Sequence, residues 1–422
     1  MKQPTKHTNS LVPKLRFPEF DGAWRIKIFK DLVKINQGLQ INISDRLTEY
    51  EEGSYFYITN EFLRENSEKK FFIKDAPKSV LCNEDDILMT RTGNTGKVVT
   101  DVRGAFHNNF FKIDYGKDIN KYFLVNYLKK KSTQNLILRL AGTSTIPDLN
   151  HSDFYKIHFI HPETKEQQKI ASFLSTVDDK LQHLEEKKRL LEEYKKGVMQ
   201  QIFSQELRFK NAHGANYPDW EEKKYKNIYT FYTTNSLSRE KLNYEDGTIK
   251  NIHYGDIHTK FSTLFDITKE LVPFINSCVD ASKIKEENFC KEGDLVIADA
   301  SEDYKDIGKT IEIVNLNGEK VISGLHTFHA RPNKHNMALG YIGYMLQSWK
   351  VRKQVMKIAQ GTKVLGISKG RLGEVKLKLP CLEEQTKIAN FLSAIDDNIQ
   401  NVTTKLEATQ QFKKALLQQL FV

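Results

Sequence analysis

A twenty-residue segment occurs twice in this 422-residue chain, at a constant offset of 218 residues and without a gap. The first copy reads P-E-T-K-E-Q-Q-K-I-A-S-F-L-S-T-V-D-D-K-L, from Pro162 to Leu181, and the second P-C-L-E-E-Q-T-K-I-A-N-F-L-S-A-I-D-D-N-I, from Pro380 to Ile399. Eleven of the twenty positions are identical, which marks a tandem duplication. The sequence between the copies differs far more. A constant element separated by variable domains suits a protein that reads two different things at a fixed spacing.

Both copies open a long helical pattern. Apolar residues fall at Ile170, Leu174, Val177, Leu181, Leu184, Leu191, Val198 and Ile202, and again at Ile388, Leu392, Ile395, Ile399, Val402, Leu406, Leu416 and Leu420. Steps of four and three make a heptad seam, weakened locally at Lys188 and Thr409. Each helix is expected to hold roughly 40 residues and to extend about 60 Å. One such helix cannot bury its stripe alone, whereas two copies in one chain can bury theirs against each other. A coiled-coil pair is therefore expected, rather than two helices that each pack only on their own domain.

The segments preceding the helices share a fainter outline. Trp24-Arg-Ile-Lys-Ile-Phe-Lys-Asp-Leu32 parallels Trp220-Glu-Glu-Lys-Lys-Tyr-Lys-Asn-Ile228. A short apolar strand follows an acidic turn in both, Glu84–Met89 and Gly293–Ile297, and a Gly-Lys pair comes next at 96–97 and 308–309. Runs such as Ser54–Thr59 and Thr310–Val314 read as strands between turns. Each half is expected to be an α/β domain of roughly 150 to 170 residues, in the order domain, helix, domain, helix.

The bulk numbers bound the function. Hydrophobic residues make up 39% and charged residues 28%, a composition that folds rather than stays disordered. No run of eighteen apolar residues predicts a membrane span, and the opening M-K-Q-P-T-K-H-T-N-S has no signal-peptide core. Cys82, Cys278, Cys290 and Cys381 lack C-x-x-C spacing, which argues against a zinc site or disulfide scaffold and suits a reducing cytoplasm. A net charge of +10 favours a polyanionic partner, nucleic acid first, although a basic solvated surface gives the same number.

With these residues in view, the chain resembles the specificity subunit of type I restriction-modification systems. The opening L-R-F-P-E-F-D-G-A-W (15–24), the doubled E-Q-x-K-I-A-x-F-L-S-x-x-D-D box (166–179 and 384–397) and the tandem layout carry the resemblance. It implies an α/β (α+β) architecture with pseudo-two-fold character. Target recognition domains at 1–160 and 206–379 would be separated by antiparallel coiled-coil helices at 161–205 and 380–422. Each domain would read one half of an asymmetric bipartite DNA target. The helices would set the spacing and dock two adenine methyltransferase subunits, which restriction subunits join. S-adenosylmethionine, ATP and Mg would sit on those partners and no cofactor on this chain. The expected location is cytoplasmic. The rival expectation is a coiled-coil adaptor that binds proteins only.

Candidate contacts follow. Arg91-Thr-Gly-Asn-Thr-Gly-Lys97 fails the phosphate-loop pattern, because only two residues separate its glycines and Val98 follows the lysine. Gly308-Lys309-Thr310 fails too, with Asp303 where the first glycine belongs. The first segment reads as a Gly-rich turn or as a DNA-facing loop, in which Arg91, Asn94 and Lys97 reach phosphates or base edges. Its match, Asp299–Lys305, is more acidic; Lys305 and Lys309 are its cationic candidates. Gly142-Thr143-Ser144 and Gly361-Thr362-Lys363 read as helix stops or as phosphate donors. Lys129–Lys131 and Lys350–Lys353 read as solvated helix faces or as backbone contacts. Tyr254 and Tyr57 fall at matching places, each expected in a turn after a strand, and such turns lie near the recognition face in the resembling family. Partner contacts are expected at Gln167, Phe173, Asp178 and Asp179 and at Gln385, Phe391, Asp396 and Asp397, since identity at exposed Gln and Asp is hard to explain by packing. The alternative is core phenylalanines and solvated aspartates. His151, His158, His161, His253 and His258 form no ligand pattern, so no metal site is expected. With no Pro-Pro dipeptide there is no adenine-methyltransferase motif, and Pro218-Asp219 before Glu221-Glu222-Lys223 is too compact for a metal nuclease and reads as linker. The chain is expected to be non-catalytic.

Overall fold

A computed structural model describes residues 11–64, 67, 69–333 and 337–422. The ten opening residues, read above as lacking a signal peptide, lie outside the described residues. The chain divides into two compact units: unit 1 comprises residues 1–185 with 404–422, and unit 2 residues 186–403. Each unit is built from a mixed αβ domain and one half of each long helix.

The two helices run over Thr164–Ser204, with 41 residues, and Leu382–Gln419, with 38. Neither contains proline, and Gly197 is the single glycine within them. In unit 1, Ile170, Leu174 and Val177 of the first helix share a core with Leu416 of the second and with Leu420 just past its end. In unit 2, Val198 and Ile202 share a core with Ile388, Leu392 and Ile395. Within each unit the two segments run antiparallel, so the seam residues of each stripe find the other copy. Thr409 in the seam is buried because its hydroxyl turns back to the Lys405 carbonyl at 2.7 Å, which satisfies it locally.

The domain of unit 1 carries two four-stranded sheets. One has the order Val33–Gln37, Phe110–Tyr115, Ile87–Thr90, Val98–Val99 and is wholly antiparallel. The other has the order Phe72–Ile73, Tyr55–Ile58, Gly104–Phe106, Leu81–Cys82, with one parallel pair. Unit 2 repeats the plan with a five-stranded sheet, Tyr229–Tyr232, Thr327–Pro332, Leu295–Ala298, Thr310–Asn315, Leu264–Asp266, and a four-stranded one. Ile87–Thr90 and Leu295–Ala298 are buried at every position, as central strands covered on both faces must be. Two packed helices follow in each, Lys121–Lys129 with Lys131–Ala141 and Tyr341–Gln347 with Trp349–Ile358.

A two-stranded ribbon feeds each long helix. Arg25–Ile28 pairs with His158–His161, and Glu221–Lys224 with Lys376–Leu379. The segment beginning at Glu221 is therefore a strand and not linker: its backbone pairs with the strand leading into the second helix. Tyr57 lies inside the strand expected over Ser54–Thr59, 1% exposed, and not in a turn after it: its hydroxyl donates to the Leu39 carbonyl while its ring packs in a core.

A second repeat governs how the helices end. Leu15-Arg-Phe17 and Leu207-Arg-Phe209 are the same tripeptide. In unit 2, Leu207 N–H donates to the Gln201 carbonyl near the end of the first helix at 3.0 Å. In unit 1, Leu15 N–H donates to the Gln419 carbonyl at 3.0 Å, which is the equivalent position of the second helix. Chain continuity makes the first contact local, whereas the second closes the two ends of the described chain on each other.

Candidate DNA-reading loops and partner face

The doubled E-Q of the repeat is explained within each unit. Glu166 is 2% exposed and Glu384 0%. In unit 1, Arg16 clamps Glu166 through Nε at 2.8 Å and Nη2 at 2.7 Å, and Trp24 Nε1 lies 3.4 Å from Oε1. In unit 2, Arg208 clamps Glu384 at 3.2 and 2.8 Å, and Trp220 Nε1 donates to it at 3.1 Å. A buried carboxylate needs such donors, and a bidentate guanidinium supplies two in one plane. The same hydrogen bonds hold Arg16 and Arg208 above the ordinary arginine pKa.

Gln167 and Gln385 are buried at 1% and 2%, not exposed as expected. Gln167 accepts from Asn120 N–H at 2.9 Å and donates to the Asp118 and Pro162 carbonyls. Gln385 accepts from Ala338 N–H at 3.0 Å and donates to the Pro380 carbonyl. Each amide ties a loop of its own domain to the head of its helix, a packing reason for the doubled glutamine. Phe173 and Phe391 are half-buried and meet Phe17 and Phe209 edge-on at 5.7 and 5.5 Å. Asp178 pairs with Lys413 in unit 1, and Asp396 pairs with Lys195 at 2.5 Å in unit 2. These are one ion pair made twice, since both residues shift by 218. Asp179 and Asp397 remain exposed. So do Tyr194 and Phe412, both 52% exposed and also 218 apart. Two exposed aromatics at equivalent helix positions were legible from the offset, and the reading of the sequence passed over them.

The DNA-facing candidates of unit 1 come together. Gly93, Asn94 and Gly96 have φ of +62°, +64° and +89°, so the segment is a tight turn that needs its glycines. Thr90 Oγ1 donates to the Asn94 carbonyl at 2.5 Å and accepts from Lys97 N–H at 2.9 Å, closing the turn. Neighbouring loops brace it. Asn60 donates to the Thr92 carbonyl at 3.1 Å, Lys97 Nζ to the Leu63 carbonyl at 3.0 Å, and Thr95 Oγ1 to the Pro147 carbonyl at 2.7 Å. Arg91 is committed: it pairs with Asp148 at 2.7 Å and lies 5.9 Å from the Phe111 ring. Asn94, Lys97, Thr143 and Ser144 are exposed, so loops 91–97 and 142–148 present them from one braced cluster.

Unit 2 uses the same positions with other residues. Arg91 N–H donates to the Asn109 carbonyl, and Asp299 N–H donates to the His326 carbonyl. Asp299 therefore stands where Arg91 stands. Its carboxylate lies 3.3 Å from His326 Nδ1, and burial raises its pKa above the ordinary range. Ala300–Ser301 pairs with Leu365–Gly366, which joins this loop to the Thr362–Lys363 turn as Arg91–Asp148 joins the first pair. Tyr254 opens a short helix, Tyr254–Thr259, with its ring 5.2 Å from that of His326. Lys309 is tied to the His258 carbonyl at 2.7 Å, whereas Lys305, Thr362 and Lys363 are exposed. His326, at φ +53° and 52% exposed, was missed, because a lone histidine between strands gives no sequence signal.

Among the described residues no group of three or more His, Cys, Asp and Glu side chains could hold a metal ion, and no helix is long and apolar enough to cross a membrane.

Known proteins agree with this construction. The family model for the type I restriction modification DNA specificity domain matches residues 22–193 and again 217–410. The type I restriction enzyme MjaVIII specificity subunit of Methanocaldococcus jannaschii is 26% identical over 420 residues, covering 96% of this chain and 92% of that protein. A putative type I restriction enzyme MjaX specificity subunit of the same organism is 27% identical over 228 residues, 52% of this chain and 49% of that one. In fold, the chain is similar to the type I restriction-modification system S subunit from M. genitalium, with a TM-score of 0.60 and 16% identity, covering 97% of this chain and 99% of that one. It is also similar to a chain from a structure on complex assembly and conformational transition of the type I system, with a TM-score of 0.52 and 15% identity, covering 94% and 97%. With both halves of its duplication matched, the chain belongs to the type I restriction-modification DNA specificity family, as a non-catalytic specificity subunit.

Proposed function

We propose that the chain reads an asymmetric, bipartite duplex DNA target and scaffolds two adenine methyltransferase subunits, with restriction subunits joining that core. One observation carries the reading: the two units share the same contacts where domain meets helix, yet present different side chains from the equivalent loops. In unit 1, Asn94, Lys97, Thr143 and Ser144 would contact bases and phosphates, with Arg91 holding the two loops together. In unit 2, Tyr254, Lys305, Thr362 and Lys363 would do so, with Lys309 bracing the cluster. Asn suits adenine, and the Lys, Thr and Ser groups suit phosphate oxygens. Target recognition domains would then correspond to residues 1–160 and 206–379, and the spacer to 161–205 and 380–422. The outer faces of the helices, with Asp179, Tyr194, Asp397 and Phe412, would receive one methyltransferase copy each. Cofactors would reside on those partners.

The test is a methylome by long-read sequencing of cells expressing the chain with its methyltransferase, against cells lacking the chain. A gapped, asymmetric adenine-methylation motif that disappears with the chain is expected. Exchanging residues 206–379 for those of a relative should change one half of that motif only. Unchanged methylation with both proteins folded and associated would replace this reading with a protein-only adaptor.

A further inference from the structure

Unit 2 contains an open groove of about 580 Å³ between Lys196, Gln200 and Phe203 of the first long helix and Ser348, Trp349 and Lys350 at the start of the helix Trp349–Ile358. Met199 extends it at one end and Lys378 at the other. Trp349 is 65% exposed, whereas Trp24 and Trp220 are 3% and 9% exposed. A large aromatic left in water beside an apolar floor marks a contact surface more often than a structural need.

The rim is cationic. Among the described residues, Lys196, Lys350 and Lys378 have no carboxylate within ion-pair distance. The two carboxylates at the groove, Glu192 and Glu222, each already face a lysine, Lys188 and Lys376. A nucleic-acid strand would use the lysines and leave the Phe203–Met199 floor unused. An acidic amphipathic protein helix would use both.

Unit 1 is different at the same place. The 218-residue offset that relates the long helices also relates Ser348 to Lys130 and Trp349 to Lys131. Lys130 is the junction between its two helices, as Ser348 is between theirs. Its ammonium donates to the Val422 carbonyl and lies 6.0 Å from the Tyr127 ring, so the position is filled from within. An exposed lysine takes the place of the tryptophan.

We propose that the Trp349 groove docks an acidic amphipathic helix of a methyltransferase subunit, and that unit 2 does so alone, so the two copies are held unequally. This rests on the scaffold reading above. The experiment is a dilution series of the complex between the full chain and its co-expressed methyltransferase, followed by native mass spectrometry. Trp349→Ala should weaken one of the two copies at least tenfold, so that one-to-one complexes replace two-to-one complexes at dilutions the wild type survives. Lys196→Glu with Lys378→Glu should release the same copy, while Trp349→Phe and Lys131→Ala should leave both bound. Equal release of both copies in Trp349→Ala, or dissociation within twofold of wild type, would overturn the groove proposal and leave the scaffold reading intact. Failure of the wild-type chain to form any complex would remove both.

Discussion

In unit 1 the central strand Ile87–Thr90 runs into Arg91, which reaches Asp148 on the neighbouring loop. In unit 2 the equivalent strand Leu295–Ala298 runs into Asp299, which faces His326, while the neighbouring loop is held through backbone in both units, by Leu149 N–H on the Arg91 carbonyl and by Ile367 N–H on the Asp299 carbonyl. Charge is inverted and the side-chain contact is changed, while the backbone bonds at the same position are kept. Below these tips the units agree in detail: the Arg–Glu–Trp cluster, the buried glutamine, the aromatic pair beside it and the Asp–Lys bridge each occur twice. The comparison teaches that conserved geometry here resides in the buried junction of domain and helix. The tips differ in side chain, while the buried junction beneath them keeps the same contacts in both units.

That division is open to attack, beginning where the frame is most buried. Glu166→Ala leaves Trp24 without its acceptor and Arg16 with only the Asp21 and Gly22 carbonyls, and Glu384→Ala leaves Trp220 without its acceptor and Arg208 with the Tyr217 and Pro218 carbonyls. Each should cost about 1 to 3 kcal/mol of the stability of its own unit, the usual cost of leaving a buried donor such as the indole N–H unsatisfied. Urea unfolding followed by near-UV circular dichroism would measure it. Losses that differ grossly between the two variants would break the equivalence of the frames. At the tips, Arg91→Ala removes a half-exposed ion pair and should cost only about 1 kcal/mol. Under the proposed function it should relax one half of the methylation motif and leave the other half unchanged, which the methylome would report. The helix bridge should matter least. Exchanging charges by Asp178→Lys with Lys413→Asp should restore most of a loss of about 1 kcal/mol or less seen in either single variant. A double variant no better than the singles would show that the Asp–Lys geometry is not what recurs.

Much of the frame was visible in the residues. The 218-residue offset and the heptad steps located the long helices. Helix periodicity is local, so it survives reading without a structure. Gln167 and Gln385 were visible as a repeat but were assigned outward, to a partner, because the backbone groups they bind, at Asn120 and Ala338, lie 47 residues off in sequence; Glu166 and Glu384 were given no role, and their partners Arg16 and Arg208 lie 150 and 176 residues away. The repeated L-R-F tripeptide was the signal that could have corrected this. Of the DNA-facing candidates, Asn94, Lys97, Thr143 and Ser144 are presented by one braced pair of loops, while Arg91 and Lys309 spend their charge inside the protein.

Sequence alone determined that this chain is a duplication, that each copy ends in a long amphipathic helix, and that the halves differ in what they present. Each of these is a pattern of neighbouring residues or of a constant offset. Tertiary structure decided which of the repeated polar groups are buried and satisfied and which are exposed. It also left Trp349 in water where unit 1 has Lys131. Burial and pairing depend on partners brought together across more than a hundred residues, and no local pattern in the chain records which partner arrives.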